Sequence, residues 1–278
     1  MLYFGLFYSV ALILAGLNSR AQLRYGGAVF ILLAAAAVGY ITWLFCAVAI
    51  AYIGLTVWMV EQSVSTALRW IRYALWFLAS AALVVHVMPG YEGLLVAEQV
   101  VFKPGSTATN LYFNHDKVLV AWSLLNFIPL FGRSTTPQPL KPFWLTPLAV
   151  TLGIALALAL AVTLDLIDWQ PAWTPWFWLF AAGNLLNTCI AEELLFRGVL
   201  QRQLQQRIKP LLAVAIAALL FGLAHLAGGW DYVVVAVIAG GVYGLAYYWT
   251  GRIVWAVLVH WLLNLGHFVL FTYPLTAA

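Results

Sequence analysis

Charge is what this sequence has least of. Of 278 residues, 13 are Lys or Arg and 9 are Asp or Glu, so 8% are charged against 65% hydrophobic. A soluble domain carries about 25% charged residues, so the chain cannot wet the surface of a soluble globular enzyme. A mean hydropathy of +0.96 excludes a disordered chain. Cysteine is almost absent, and Cys46 and Cys189 both sit inside apolar runs. That excludes a disulfide scaffold and leaves no CxxC or Cys/His cluster for a structural metal, so both thiols read as core residues. The isoelectric point is near 9.1, yet the basic residues are scattered in short gaps between apolar runs and form no patch for nucleic acid. No basic segment precedes the first apolar run at residues 2–17; Arg20 and Arg24 follow it instead. That order is wrong for a cleavable signal peptide, so the run reads as a first membrane helix with its N-terminus on the non-cytoplasmic side.

What the chain has is long apolar runs, at residues 2–17, 28–60, 68–88, 118–131, 145–167, 175–204, 211–226, 232–248 and 253–271. A spanning helix needs about 20 such residues. The expected fold is therefore all-α, a polytopic integral membrane protein of about 9–10 transmembrane helices. The run at 28–60 would be about 50 Å long as one helix, well over a hydrocarbon core of about 30 Å. Basic loops face the cytoplasm. The gaps holding Arg20 and Arg24, Arg69 and Arg72, Arg133 and Lys141, Arg202 with Arg207 and Lys209, and Arg252 are all basic. Those holding Asp168 and Asp231 are not. The alternation runs throughout only if 28–60 crosses twice, turning near Gly39, which gives ten helices with both termini outside.

Residues 89–117 form the longest polar stretch, with a strand-like piece at 94–102 and a Pro104-Gly105 turn signal. This reads as a small extramembrane hairpin or re-entrant piece in which His115 and Asp116 solvate a helix start. A gap at 132–144 rich in Pro, Thr and Ser reads as a linker. The expected division is an N-terminal transmembrane region, 1–143, and a C-terminal bundle, 144–278. No internal repeat marks either half. Trp169, Trp173, Trp176 and Trp178 on one side, and Tyr247, Tyr248 and Trp249 on the other, read as interfacial belts.

Ionisable groups inside a span cost about 2.5–3.5 kcal/mol or more each and are functional suspects. Most lie in the C-terminal half, in Glu192-Glu193-x-x-x-Arg197, Phe221-x-x-x-His225 and His260-x-x-x-Asn264. Glu193 and Arg197, four apart, share a helix face and can pair. Glu192 is turned about 100° away and has no intrahelical partner. His260 and Asn264 also share a face. Counted from the basic side at about 1.5 Å per residue, Glu192, His225, His260 and Asn264 all fall near mid-bilayer and can converge on one cavity.

Two chemistries use these groups. One carboxylate with one histidine can activate water and return a proton to a leaving amine, while a second histidine and an amide stabilise an oxyanion. Alternatively, Glu192, His225 and His260 form a three-ligand site for a divalent metal such as zinc, with water in the open position. Two non-hydrolytic readings also exist: a non-catalytic membrane immunity or assembly partner, and a proton-coupled transporter. Polar groups at one depth trace no path, and paired broken helices are missing, which counts against a transporter.

The ordered set of three motifs resembles the CPBP (Abi) family, which comprises type II CAAX prenyl endopeptidases and bacteriocin-processing intramembrane proteases. The resemblance covers roughly residues 144–271, with every signature position matched. It implies a membrane endopeptidase in which Glu192 is activating, His225 assists, and His260 and Asn264 form the oxyanion site. It also implies that Glu193 and Arg197 are structural, with Phe221 supporting. Members are described both as metalloproteases and as glutamate-type proteases. Pro89-Gly90-Tyr91 and the stretch 111–117 look like the extension of bacterial members. The implied partners are the lipid bilayer and a membrane-embedded or lipid-linked protein or peptide substrate, in a bacterial inner membrane.

Overall fold

A computed structural model describes residues 1–133 and 145–277; Lys141 and most of the expected linker lie outside the described residues. The described chain forms α1 (Leu2–Leu17), α2 (Gln22–Ala37), α3 (Trp43–Glu61) and α4 (Thr66–Val84), then β1 (Leu94–Val100) and β2 (Thr109–Phe113). These are followed by α5 (Asp116–Leu125), α6 (Leu145–Thr163), α7 (Phe177–Gln205), α8 (Pro210–Leu223), α9 (Trp230–Thr250) and α10 (Ile253–Leu270). Among the described residues, six helices are long and apolar enough to cross a membrane by length and composition: α3, α4, α6, α7, α9 and α10. The chain is an all-α polytopic membrane protein with a small two-stranded sheet.

The run at 28–60 is divided as expected. Helix α2 stops at Ala37, Gly39 takes φ +72, and the Thr42 hydroxyl caps α3 by accepting from the Phe45 amide at 3.0 Å. The run at 118–131 differs from expectation. Helix α5 has 10 residues, about 15 Å, and gives way to a turn at Asn126, whose side-chain amide donates to the Trp122 carbonyl at 2.8 Å. A short apolar helix of this length is a core element. Every residue from Val118 to Leu125 is buried.

Two compact units form. The first comprises Met1–Val96, Tyr112–Pro129 and Leu186–Ala191. In it α1 packs on α2 and α5, and α4 packs on α3 and α5. Hydroxyls tie the helices together: Thr56 to Ser123 at 2.8 Å, Tyr52 to Ser80 at 2.8 Å, and Trp76 Nε1 donating to Ser123 at 2.8 Å. Such bonds serve where lipid removes the hydrophobic drive between helices. His115 and Asp116 do not solvate a helix start, because both are fully buried. Asp116 Oδ1 accepts from the Lys117 amide, and Oδ2 meets His86 Nδ1 at 2.8 Å. The His115 ring lies among Tyr8, Tyr40, Phe45 and Tyr91, and burial lowers its pKa to about 4.

The second unit comprises Ala97–Leu111, Leu130–Leu185 and Glu192–Ala278. Helix α9 lies at its centre, against α6, α8 and α10. Gly222 admits the close α8–α9 approach: a Cβ there would stand 2.3 Å from Val237 and 2.9 Å from the Val233 carbonyl oxygen. The turn between strands carries Gly105 at φ +76, as the Pro-Gly signal anticipates. Lys103 is buried there, its Nζ donating to the carbonyls of Gln170 and Phe271. Trp169, Trp173 and Trp178 are exposed, as an interfacial belt requires, whereas Tyr247 is buried in the core. Both cysteines are buried thiols.

Candidate active site

Helix α7 departs from regular winding on both sides of Glu192-Glu193. Residues Leu185–Cys189 and Leu194–Gln201 are π-helical, and Ile190–Glu193 between them is α-helical. Such π-turns cluster at functional positions because they re-aim side chains at the cost of regular hydrogen bonding.

The Glu193–Arg197 pair forms as the spacing requires, with Arg197 Nη1 donating to Glu193 Oε1 at 2.9 Å and both side chains fully buried. Arg197 Nη2 also donates to the Gly240 carbonyl at 2.8 Å. The guanidinium lies over the rings of Phe221 and Tyr243, at 4.7 and 5.3 Å. One turn on, Gln201 repeats the contact with α9 by donating to the Gly244 carbonyl at 2.9 Å. Glu193 has a second partner that spacing could not reveal: His260 Nδ1 stands 2.9 Å from the same Oε1. A carboxylate only accepts, so His260 carries its proton on Nδ1 and presents Nε2. Tyr243 stacks on the ring, centroids 4.5 Å apart and planes 13° apart, so hydrogen bond and stacking together fix its plane.

His225 lies beyond the end of α8, in the turn before α9. Its Nδ1 is 2.8 Å from the Phe221 carbonyl, which assigns the proton to Nδ1 and leaves Nε2 as the acceptor. Asn264 donates to Asn184 Oδ1 at 3.1 Å. Asn184 and Tyr243 were not picked from sequence. An Asn in an apolar run was the available signal for the first; a Tyr in a helix carries none.

A cavity of about 70 Å³ lies among α6, α8, α9 and α10. It brings His225, His260 and Asn264 together with Phe221, Tyr232 and Tyr243. The cavity has room for a peptide group and a few waters. Glu192 does not line it. Glu192 is half-buried, and its Oε2 is enclosed without a protein partner. It acts electrostatically on Tyr232, which does line the cavity. Among the described residues, no three His, Cys, Asp or Glu side chains are grouped so as to hold a metal. That statement includes Glu192, His225 and His260.

Residues 174–266 match the family model described as type II CAAX prenyl endopeptidase Rce1-like. The match takes in all three motifs and bears out the family resemblance over that segment. No curated protein and no solved structure matches the chain.

Proposed function

We propose that this membrane protein with its Rce1-like segment is an intramembrane endopeptidase that hydrolyses a peptide bond by water activated at Glu192 and His225. The supporting observation is the convergence of His225, His260 and Asn264 on one small cavity. Glu192 supplies an unpaired carboxylate oxygen, and His225 Nε2 is the acceptor that takes or returns a proton. The Asn264 amide, held by Asn184, donates to the oxyanion of the tetrahedral intermediate. His260 joins it when Nε2 is protonated. Glu193 and Arg197 hold His260 and do no chemistry themselves. No step is routed through a metal. The substrate is a membrane-embedded or lipid-linked peptide, cut in a bacterial inner membrane.

The test compares peptide termini in membranes carrying wild type, Glu192→Ala or His225→Ala at equal protein levels. New termini in wild type alone are expected, and they name the substrate. Matching profiles in all three overturn the reading in favour of a non-catalytic membrane partner.

A further inference from the structure

The cavity holds one histidine that the hydrolytic scheme does not use. His267 follows Asn264 by three residues and His260 by seven, so the three share one face of α10, and all three line the cavity. His267 Nε2 lies 3.0 Å from the Thr272 carbonyl oxygen. A carbonyl only accepts, so Nε2 carries the proton and Nδ1 is the acceptor of the ring. Thr272 is itself anchored: its amide donates to the Asp168 carbonyl, and its hydroxyl accepts from the Asp168 amide at 2.9 Å. Tyr273 packs on the imidazole at a centroid distance of 5.0 Å. The ring orientation and tautomer are thus fixed from the side away from α10.

We propose that His267 is a substrate-positioning residue whose Nδ1 accepts a hydrogen bond from a main-chain N–H of the bound peptide. This rests on the endopeptidase reading. At about 1.5 Å per residue, His267 stands about 4.5 Å beyond Asn264 and about 10 Å beyond His260 along the helix axis. An extended peptide advances about 3.3 Å per residue. The N–H it meets is therefore about one to three residues from the scissile bond. The cavity lining also carries small apolar side chains, Ala157, Ala161, Ala236 and Ala239. A peptide N–H entering such surroundings needs an acceptor, since an unpaired one opposes binding. His267 supplies an acceptor in that lining, which Leu166 and Leu275 share.

A purely structural His267 would act only through Thr272, and two substitutions separate the roles. His267→Asn keeps an acceptor near the Nδ1 position and loses the bond to Thr272. His267→Gln keeps a donor near the Nε2 position and loses the acceptor. The probe is a synthetic copy of the segment around the new terminus found in wild-type membranes. We expect His267→Gln to raise KM about tenfold with little change in kcat, and His267→Asn to stay near the wild-type KM while unfolding more easily. The reverse order of KM overturns the proposal. In a second arm, each peptide N–H within three residues of the cut is methylated in turn. One methylation should raise KM about tenfold in wild type and have no effect in His267→Gln. Cleavage with no such coupling at any position overturns this inference alone. If wild type produces no new terminus, the endopeptidase reading fails and this inference falls with it.

Discussion

Replacing Arg197 by methionine tests how the site is held together. Met fills similar volume and keeps helix propensity, so the change removes mainly charge and hydrogen bonds. Arg197 gives Glu193 a permanent cation, at 2.9 Å, and both side chains have zero accessible surface. Breaking a fully buried pair by deleting one partner costs about 3–5 kcal/mol, because the remaining charge has neither water nor counter-ion. The Gly240 carbonyl loses its donor as well. If the uncompensated carboxylate is the cause, neutralising it should reverse most of the loss. Glu193→Gln combined with Arg197→Met leaves a neutral oxygen that still accepts from His260 Nδ1, and replacing a buried pair by uncharged groups is often neutral. The double variant should therefore recover about 2 kcal/mol or more. The assay is reversible unfolding in mixed detergent micelles, followed by the fluorescence of the 14 tryptophans. Two results refute the reasoning: Arg197→Met within about 0.5 kcal/mol of wild type, or two changes that add without coupling.

Four further perturbations have expected outcomes. Asn264→Ala should lower kcat about 10²–10³-fold with little change in KM if the amide serves the oxyanion; an unchanged rate in a cleavage assay removes it from the site. Gly222→Ala should destabilise by about 1–3 kcal/mol or more, since its Cβ would collide with Val237 and the Val233 carbonyl. Gly54→Ala in α3 meets nothing within 4 Å and should stabilise by about 0.5–1 kcal/mol; detergent unfolding of both variants checks the contrast. Stability should fall on acidification because of His115. Its folded pKa is lowered to about 4 by burial, below the ordinary value of about 6.5. The unfolded chain therefore takes the proton first, and stability is lost from about pH 6.5 down to about pH 4, by up to about 3 kcal/mol. His115→Phe suits the aromatic surroundings and should flatten this slope; equal slopes in unfolding at pH 7 and pH 4.5 would remove His115 as its source.

What the sequence made legible is what acts locally along a helix. The Glu193–Arg197 pair follows from a four-residue spacing and stands at 2.9 Å. The break near Gly39 follows from the alternation of basic loops against a run too long for one crossing. The missing features depend on contacts between segments far apart in the chain. Glu193 and His260 are 67 residues apart, and Asn264 and Asn184 are 80 apart, so no periodicity links them. His86 and Asp116 likewise meet across a strand pair, which is why Asp116 read as a solvated cap and is a buried partner. Helix α5 was misjudged for another reason: an apolar run has the same composition whether lipid or protein surrounds it, and only its 10-residue helical length marks it as core. The π-turns flanking Glu192-Glu193 have no sequence signature at all.

The two adjacent glutamates now divide by hydrogen-bond accounting. Glu193 Oε1 accepts from a guanidinium and an imidazole together, each at 2.9 Å. That oxygen is engaged twice, once by a permanent cation, while Glu193 Oε2 is buried without a protein partner. Glu193 is therefore suited to orienting His260. Glu192, one residue and about 100° around the helix, has neither donor, and its Oε2 is enclosed with no protein group to bond. Both glutamates thus have an unengaged oxygen, but Glu193 is fully buried and Glu192 only half-buried, so Glu192 is the one that water reaches more readily. This difference supports the proposed roles, Glu192 as base and Glu193 as scaffold. Two carboxylates side by side on a membrane helix are therefore not redundant: Glu193 fixes the His260 imidazole, and Glu192 is left for the proposed chemistry with His225.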